Sequence, residues 1–401
     1  MKKIMVVNCG SSSLKFRLFE MPSEKLIIKG LFESIGKQNT KENFSSQYKI
    51  GDYFCKAPIT SHTEAVKILL NYLLDNKIIS SFDEIDGVGH RIVQGGKYFD
   101  KAEVVDDDVL QKITDLCILA PLHNRAHLDG IHAFQEVNKN LVNVVVFDTA
   151  FHQTMEKDTY MYALPYDWYE KYDVRKYGAH GTSHKYVAQK CAEIMNRPIE
   201  ELKIITCHIG NGASISAVKG GKCIDTSMGL TPLEGIPMGT RSGNIDPAVL
   251  EYMNSIDPEK YTVKELLRIL NHESGYLGIS KVSHDSRQVE ALVDENELCK
   301  LALDIQYKRI ADFIGSYYVH MGGVDAIVFT AGIGENSSRL RREVLKRIEV
   351  LGIKCNDEVN DKVRGEIAEI STSDSKVKAF LIPTEEELMI ARDTYEIVKN
   401  K

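Results

Sequence analysis

Five short polar stretches of this sequence combine arginine, histidine or aspartate with glycine and other small residues. They span residues 89–93, 120–124, 146–152, 177–184 and 238–243. Strand ends and loops of this kind are where catalytic groups usually lie. The stretches are too specialised for packing alone, so they predict the positions of catalytic side chains.

A polar turn near the start of the chain adds a candidate anion site. Residues 4–7 and 14–19 are rich in branched and aromatic side chains, which predicts a β-hairpin around the turn NCGSSS at 8–13. Small residues at the tip leave backbone N–H groups approachable, and Lys15 adds a positive charge. The turn therefore suits a bound phosphate, with an ordinary surface turn as the alternative.

The same layout recurs later in the chain. IITCHIGNGASISAVKGG, residues 204–221, again places a small polar turn between two β-rich runs. AIVFTAGIGENSSRL, from Ala326, predicts a buried strand, a glycine-rich loop at 332–336 and then a helix. Repeated units of this kind predict a duplicated domain with the ligand between the copies.

Strands and helices alternate through the remaining sequence. The capping box Ser61-His62-Thr63-Glu64 begins a predicted amphipathic helix over 61–77. Residues 141–147, 326–329 and 379–382 are predicted strands, and a helix is expected from Glu385 onward. A long helix over 298–321 ends at Gly322-Gly323. This mixed α/β pattern contains no low-complexity linker.

Composition limits the class of protein. With 401 residues, 43% hydrophobic and 27% charged, the chain is expected to form two globular domains. No apolar run approaches the roughly 20 residues of a membrane span, and the first strand begins too early for a signal peptide. We therefore expect a cytoplasmic protein with no membrane partner, whose eight cysteines are reduced and mostly buried.

Charge and motif spacing exclude several ligand classes. The formal net charge of −7 argues against a nucleic-acid partner. No cysteine or histidine cluster has zinc spacing, and no GxxxxGK[ST] is present. Ile215 stands where GxGxxG needs its third glycine, so neither a P-loop nor a Rossmann site is expected.

The motifs together resemble the acetokinase family, within the superfamily of actin-like sugar kinases and heat-shock ATPases. NCGSSSLK, APLHN, VFDTAFHQTM, YGAHGTSH, HIGNGASI, DTSMGLTPLEG, MGTRSG, TAGIGEN and PTEEELMIARDT occur in the family's order over nearly the whole chain. The resemblance implies duplicated actin-like (ribonuclease H-like) α/β domains with the active site in the interdomain cleft. It places one domain at residues 1–150 plus 385–401. The other, at 151–384, would bind nucleotide and form a homodimer.

The resemblance also implies an activity: reversible transfer of the γ-phosphoryl group of ATP to a short carboxylate. Arg91 and Arg241 offer planar forks for the carboxylate and the phosphoryl group. His180 would donate to an equatorial phosphoryl oxygen, and His123 and His208 are candidates of the same kind. A hydrogen-bonded core position is the alternative for each histidine.

Asp148 matches a catalytic residue that is often described as the acid/base group of the family, but a carboxylic acid substrate is already ionised at pH 7 and has no proton to lose. We therefore expect Asp148 to orient Arg91 or metal-bound water.

Further contacts follow from the resemblance. Magnesium, with manganese as a substitute, would be bound by Asn8 and Glu386. The acyl pocket would comprise Val93, Leu122, Ala179 and Pro232. ATP or ADP would contact Lys15, His208, Ile209, Gly210, Asn211, Gly212, Asp285, Ser286, Arg287, Gly332, Ile333, Gly334, Glu335 and Asn336.

Some positions depart from the family pattern. Ala179 and Ser286 replace phenylalanines, Gln94 replaces His, Asn244 replaces Asp, and Glu385 replaces Asn. A ring lost at 179 could admit one more methylene, worth about 0.8 kcal/mol if buried, so propionate or a broad range of short carboxylates is the alternative to acetate. Val93 is retained, which favours acetate. Glu385 is expected to face solvent, with a tighter metal site as the alternative.

Two other function classes remain as alternatives. An actin-like chaperone or filament would need a peptide-binding module or insertions, for which the motifs leave no chain length. A sugar kinase would use Asp148 as a base on a hydroxyl, whereas the arginine pair suits an anion. The direction of the reaction follows metabolite levels and is not encoded in the chain.

Overall fold

Two compact α/β units make up the protein. The structure, a computed structural model, describes residues 1–36, 38–121 and 123–400. The first unit contains residues 1–153 and 385–401, and the second contains residues 154–384. Among the described residues, no helix has the length and apolar character needed to cross a membrane.

The sheet of the first unit has the strand order β5-β4-β3-β2-β1-β6-β8-β7. Strands β1 to β5 pair in antiparallel fashion, β1, β6 and β8 are parallel, and β7 is antiparallel to β8. The strands are β1 (Lys2–Gly10), β2 (Ser13–Met21), β3 (Lys25–Glu33), β4 (Gln47–Ile50), β5 (Tyr53–Lys56), β6 (Ile85–Ile92), β7 (Glu103–Val104) and β8 (Asn143–Phe147).

The sheet of the second unit repeats the central part of this arrangement. Its order is β11-β10-β9-β12-β14-β13. Three antiparallel strands again adjoin two parallel ones, followed by a short antiparallel edge strand. The strands are β9 (Lys203–Ile209), β10 (Ala213–Lys219), β11 (Lys222–Thr226), β12 (Ala326–Thr330), β13 (Ala368–Glu369) and β14 (Lys378–Leu381). The polar turns at 10–13 and 210–212 thus occupy equivalent hairpins, as a duplication predicts.

Helices flank both sheets. They are α1 (His62–Asp75), α2 (Asp107–Asp115), α3 (Asn124–Val137), α4 (Lys157–Tyr160), α5 (Tyr166–Tyr172), α6 (Gly181–Met195), α7 (Ala248–Ile256), α8 (Val263–His272), α9 (Gly275–Ser280), α10 (Ser286–Ala291), α11 (Glu297–Met321), α12 (Ala331–Asn336), α13 (Ser338–Arg347), α14 (Asp357–Lys362) and α15 (Glu386–Val398). Short 3₁₀ turns lie at 82–84, 116–118, 150–154, 199–201 and 349–351.

Both faces of the first sheet are buried. Along β1, Met5 and Val7 pack into a cluster with residues of α1 and α3. Ile4 and Val6 point the other way, into a cluster with residues of α15. Because side chains alternate along a strand, the apolar run of β1 covers both layers. This packing places the beginning of α15 beside the ends of β1 and β6.

Several local predictions are confirmed. Helix α1 begins at the predicted capping box: the Ser61 hydroxyl accepts a hydrogen bond from the Glu64 N–H (3.2 Å), and the Glu64 carboxylate accepts one from the Thr60 N–H (2.7 Å). Helix α11 ends where Gly322 takes the left-handed conformation (φ 67°). Cys9, Cys191, Cys207, Cys223 and Cys299 are buried, as expected.

The predicted loop at 332–336 is wrong. The backbone turns helical at Ala331, directly after β12, and stays helical through Asn336. Helix α13 then begins after Ser337, whose side chain accepts from the Leu340 N–H. Glycines had suggested a loop because they disfavour helix interiors, but here they form a short helix at a strand end.

Candidate active site

In the first unit, Arg91 and Asp148 form a bidentate ion pair. Arg91 lies near the end of β6, and Asp148 immediately follows β8, the parallel neighbour of β6. The Arg91 Nε donates to Asp148 Oδ1 (3.0 Å) and its Nη2 donates to Oδ2 (2.7 Å). Asp148 is only 2% exposed. The pairing fixes the plane of the guanidinium and leaves one edge of it for another ligand.

Glu386, the first residue of α15, adds a further carboxylate near this pair. Burial and the negative charges of Asp148 and Glu387 raise the pKa of Glu386, although Arg91 and Lys15 act in the opposite direction. Burial disfavours the charged form of Arg91, but the carboxylates of Asp148, Glu386 and Glu387 outweigh it and hold the pKa of this guanidinium above its ordinary value. Negative charge therefore surrounds Arg91.

Ion pairs connect the first hairpin to the start of α15. Lys15, which lies opposite Asn8 in the β1–β2 register, pairs with Glu387. The Arg17 Nη1 donates to Glu385 Oε2 (2.6 Å). The Glu385 side chain is 41% exposed, so it does face solvent as expected, but its carboxylate is also bonded to Arg17. These contacts hold the helix start, and with it Glu386, against the hairpin that carries Asn8.

The donor set of this region suits a hard divalent cation. Asn8 and Glu386 supply amide and carboxylate oxygens, which Mg²⁺ prefers. Burial first, and then the neighbouring carboxylates of Asp148 and Glu387, raise the pKa of Glu386, and a bound cation would favour its charged form. Among the described residues no cluster of three or more His, Cys, Asp or Glu side chains could hold a metal. A magnesium ion here would therefore keep several water ligands, as it usually does.

In the second unit, two of the predicted histidines stack on each other. His180 takes the left-handed conformation (φ 61°) just before α6. Its ring lies 4.1 Å, centroid to centroid, from the ring of His208 at the end of β9. His180 Nδ1 is hydrogen-bonded to Ser214 Oγ (2.8 Å), and His208 Nδ1 to Ser183 Oγ (2.8 Å). Both rings are thus held by hydroxyl groups.

Arg241 converges on the same point. A Cβ added at Gly212 would lie 3.5 Å from the His180 Nε2 and 3.6 Å from the Arg241 Nη1. Burial lowers the pKa of Arg241, and no carboxylate of the described residues forms an ion pair with it. Its Nη1 donates two long hydrogen bonds to uncharged acceptors, one to the Pro232 carbonyl (3.4 Å) and one to the Met238 Sδ (3.7 Å). The Arg241 charge is therefore available to an anion.

A cavity of about 990 Å³ opens in the second unit. Predicted nucleotide contacts on three separate segments line it: Asn211, Asp285, Ser286, Arg287, Gly332, Ile333 and Asn336. Asp285 caps α10, accepting from the Arg287 N–H (3.0 Å), and its carboxylate also pairs with the Arg287 guanidinium. A Cβ at Gly332 would meet nothing within 4 Å, so this glycine leaves the helix start open to a ligand rather than relieving a clash.

Other predicted nucleotide contacts are not among the residues that line this cavity. His208, Ile209 and Gly334 are buried. Glu335 accepts hydrogen bonds from the Ala331 and Thr384 N–H groups through Oε1, which is a structural role. Lys15 belongs to the first unit and pairs with Glu387.

Sequence reasoning missed several lining residues: His284, Glu290, Ala291, Ser337 and Arg339. Glu290 lies one helical turn after Ser286 on α10, so helical spacing could have identified it. Its carboxylate accepts from the Ser337 hydroxyl (2.8 Å), and this link between α10 and α13 has no sequence signal.

The predicted acyl-pocket residues fall in different units. Val93 is half-buried in the first unit, and Leu122 lies outside the described residues. Ala179 belongs to the hydrophobic core of the second unit, and Pro232 is half-buried there. His123 is exposed immediately before α3.

Three residues that depart from the family pattern have defined places in the structure, two as hydrogen-bond acceptors and one in a cavity wall. The Gln94 Oε1 accepts from the Gly96 N–H (2.9 Å), and the Asn244 Oδ1 accepts from the Gly235 N–H (2.7 Å). Ser286 is buried in the cavity wall.

Comparisons with known proteins agree with this architecture. The model of the acetokinase family matches residues 3–392. An acetate kinase of Geobacillus sp. (strain WCH70) is 52% identical over 399 residues, covering 99% of each chain. The crystal structure of Porphyromonas gingivalis acetate kinase superposes with a TM-score of 0.92 at 42% identity, covering 99% of this chain and 100% of that one. The crystal structure of a propionate kinase from Francisella tularensis subsp. tularensis SCHU S4 superposes with a TM-score of 0.89 at 41% identity, with the same coverage of both chains.

The repeated sheets and these neighbours define an α/β protein with the duplicated actin-like fold. The chain belongs to the acetokinase family.

Proposed function

We propose that this protein is an ATP:acetate phosphotransferase, which reversibly converts ATP and acetate into ADP and acetyl phosphate. The observation that carries the proposal is Arg241. It is a guanidinium without a carboxylate partner among the described residues, beside His180. The same unit contains the large cavity lined by residues of the predicted nucleotide contacts. Relatives whose sequences are about 50% identical to this chain are named acetate kinases.

The reaction needs no general base. Acetate is ionised at neutral pH, so one of its oxygens attacks the γ-phosphorus directly. A bond from that oxygen to phosphorus forms, the bond from phosphorus to the β,γ-bridging oxygen breaks, and ADP leaves with the electron pair. Charge balances without a proton: acetate and ATP⁴⁻ give acetyl phosphate²⁻ and ADP³⁻. The protein must therefore supply alignment and positive charge.

Arg91 and Asp148 would serve the acceptor. The free edge of the Arg91 guanidinium can bind the acetate carboxylate, and Asp148 fixes the plane of that guanidinium. Because Asp148 is fully engaged with Arg91, its role is orientation rather than proton transfer.

Arg241 and His180 would serve the phosphoryl group. Charge spreads over three equatorial oxygens in the loose transition state. Donors aimed at those oxygens in a partly buried site stabilise that charge strongly. His208 supports the His180 ring by stacking.

Magnesium completes the proposal, with manganese as a substitute. Asn8 and Glu386 would hold the ion, which would neutralise phosphate charge and orient the phosphates. Lys15 and Arg17 position this region through their pairs with Glu387 and Glu385.

We further propose that the second unit carries the nucleotide site and forms a homodimer. Helix α7 has no buried residue and exposes Val249 (42%), Tyr252 (67%) and Ile256 (59%). Exposed apolar residues grouped on one helix are typical of an interface. A Tyr252→Glu variant should lower the mass measured by light scattering. We place the reaction in the cytoplasm, where ATP is available.

The test of the proposed function traps acyl phosphate with hydroxylamine in the presence of ATP, magnesium and acetate. Hydroxamate should form only when ATP, magnesium and acetate are all present. No hydroxamate with acetate, propionate or butyrate would overturn the acyl-phosphate activity itself.

A further inference from the structure

His184 lies in the motif YGAHGTSH but has no part in the function described so far. It is fully buried on α6, beneath the sheet of the second unit. Its Nε2 is hydrogen-bonded to Ser214 Oγ (2.7 Å) and its Nδ1 to Thr206 Oγ1 (2.7 Å). Ser214 Oγ also contacts His180 Nδ1 (2.8 Å). A continuous chain therefore runs from Thr206 through His184 and Ser214 to His180.

The strand register explains why these groups meet. In the β9–β10 pair, Thr206 lies opposite Ser216, and His208 lies opposite Ser214. Alternate residues of a strand share a face, so Thr206 and Ser214 point to the same side of the sheet. Helix α6 packs against β9 on that side, which brings His184 between the two hydroxyl groups.

The hydrogen bonds in this chain are best satisfied when they all run in one direction. The Ser214 hydroxyl has one hydrogen and can donate to only one of its two histidines, and if both histidines donated to its oxygen that hydrogen would have no acceptor in the chain. If Ser214 donates to His180, the neutral His180 ring carries its hydrogen on Nε2. If it accepts from His180, the hydrogen is on Nδ1, and Nε2 cannot donate.

Thr206 decides between the two directions. Its hydroxyl hydrogen has two acceptors: His184 Nδ1 at 2.7 Å and the Ser216 carbonyl at 3.4 Å. The shorter contact has the length of a good hydrogen bond, whereas the longer one is near the limit. Thr206 therefore donates to His184, His184 Nε2 donates to Ser214, and Ser214 donates to His180 Nδ1.

We propose that Thr206, His184 and Ser214 form a relay that holds neutral His180 with its hydrogen on Nε2, the atom it presents to the transferring phosphoryl group. His184 is thus a positioning residue. The inference rests on the proposed function, because it assigns a purpose to the His180 donor. The tautomer of a histidine is set by the hydrogen bond that its other nitrogen makes.

A neutral donor suits the surroundings of His180. Arg241 converges on the same point, the ring of His208 stacks on that of His180, and His184 lies behind Ser214. A second positive charge beside Arg241 would be disfavoured. The relay lets His180 donate to phosphate oxygens without becoming an imidazolium.

The first test reads the tautomer directly. Histidine side chains are labelled with ¹⁵N, and ring nitrogen shifts are recorded for the wild-type protein at pH 8, with His180→Gln used to assign the signals. A hydrogen on Nε2 and none on Nδ1 of His180 is expected. A hydrogen on Nδ1 would overturn the proposal. This result does not depend on turnover, so it is separable from failure of the hydroxamate assay.

The second test breaks the relay at its far end, using a substitution that preserves volume. Thr206→Val removes the hydroxyl, and Thr206→Ser is the matched control that retains it. We expect Thr206→Val to populate the Nδ1–H tautomer of His180 and to lower kcat about tenfold, with little change in KM for ATP. Its activity relative to wild type should improve as pH falls, because an imidazolium can donate from both nitrogens.

Unchanged ¹⁵N shifts and an unchanged pH profile in Thr206→Val would overturn the relay. If Thr206→Val does not fold, His184→Gln can be compared with His184→Phe. This pair again contrasts an intact with a broken relay, since only glutamine keeps a donor toward Ser214. The wild-type tautomer measurement stands independently of both.

Discussion

The two arginines predicted to contact the substrates, one in each unit, lie in opposite electrostatic environments. Arg91, in the first unit, is paired with Asp148, and the carboxylates of Glu386 and Glu387 are close enough to help raise its pKa. Arg241, in the second unit, forms no ion pair with a described residue, and burial lowers its pKa. The same side chain is therefore neutralised in one place and left available in the other.

The difference follows from what each arginine would bind. Around Arg91 the protein supplies negative charge, which suits a cation beside a singly charged carboxylate substrate. Around Arg241 it supplies the His180 ring and uncharged hydrogen-bond acceptors, which suits a phosphoryl group carrying several negative charges. Under the proposed function, identical residue types thus do separate work because their neighbours differ.

The sharpest test of this comparison replaces the unpaired arginine. Arg241→Lys should lower kcat by about 10²- to 10³-fold, because one compact ammonium cannot reproduce the fork and loss of such a donor costs about 2.7–4 kcal/mol. The hydroxamate assay measures it. A melting temperature near that of the wild type shows that the fold is intact, and near-normal kcat would remove Arg241 from the chemistry.

Asp148→Asn should have the next largest effect. The amide cannot hold Arg91 through two charged hydrogen bonds, so the guanidinium loses its orientation and kcat falls about 10²-fold. Since no proton is transferred, the ratio of variant to wild-type activity should be constant from pH 6 to 9. A ratio that changes tenfold per pH unit would instead indicate general-base catalysis.

Glu386→Gln should raise the magnesium concentration that gives half-maximal activity by about tenfold or more. Substitution of residues that only hydrogen-bond to metal ligands already weakens metal affinity by about this factor. Glu396→Gln is the matched control, because Glu396 lies in the last turn of the same helix, where it pairs with Lys399, and its removal should leave the magnesium requirement unchanged. Magnesium binding to each variant without substrates can be followed by calorimetry. Equal shifts in both variants would contradict the assignment of Glu386.

The raised pKa of Glu386 adds a pH dependence to this prediction. A raised pKa means that the protonated carboxyl persists to higher pH than for an ordinary glutamate. Only the carboxylate binds magnesium, so the apparent affinity of the wild type should weaken as pH falls toward that pKa. In Glu386→Gln this part of the pH dependence should disappear.

The smallest expected effect concerns the acyl chain. Acetate should exceed propionate in kcat/KM by about tenfold, equivalent to about 1.4 kcal/mol, within the 1–3 kcal/mol that one methylene supplies. The position of Ala179 supports this expectation, because its side chain is buried in the hydrophobic core of the second unit. Equal values for propionate would show that the pocket has room for the longer chain.

Much of the fold could be predicted because its signals are local. The hairpins β1–β2 and β9–β10 follow from β-branched runs around small turns, and α1 follows from its capping box. The repeated layout predicted duplication, which both sheets show. The helix at 331–336 was not predicted, because its glycines by themselves favour a loop. Its position between the end of β12 and the start of α13 is what makes the segment helical.

The sequence by itself determined the family, the duplicated fold and the residue types available for phosphoryl transfer, because motifs and periodicity are properties of neighbouring residues. Only the tertiary structure decided which side chains meet. Arg91 and Asp148 are 57 residues apart, and Arg17 and Glu385 are 368 apart. Parallel strand pairing and the return of α15 to the first sheet bring them together. The electrostatic environment of each arginine and the hydrogen-bond partner of each histidine depend on these long-range contacts.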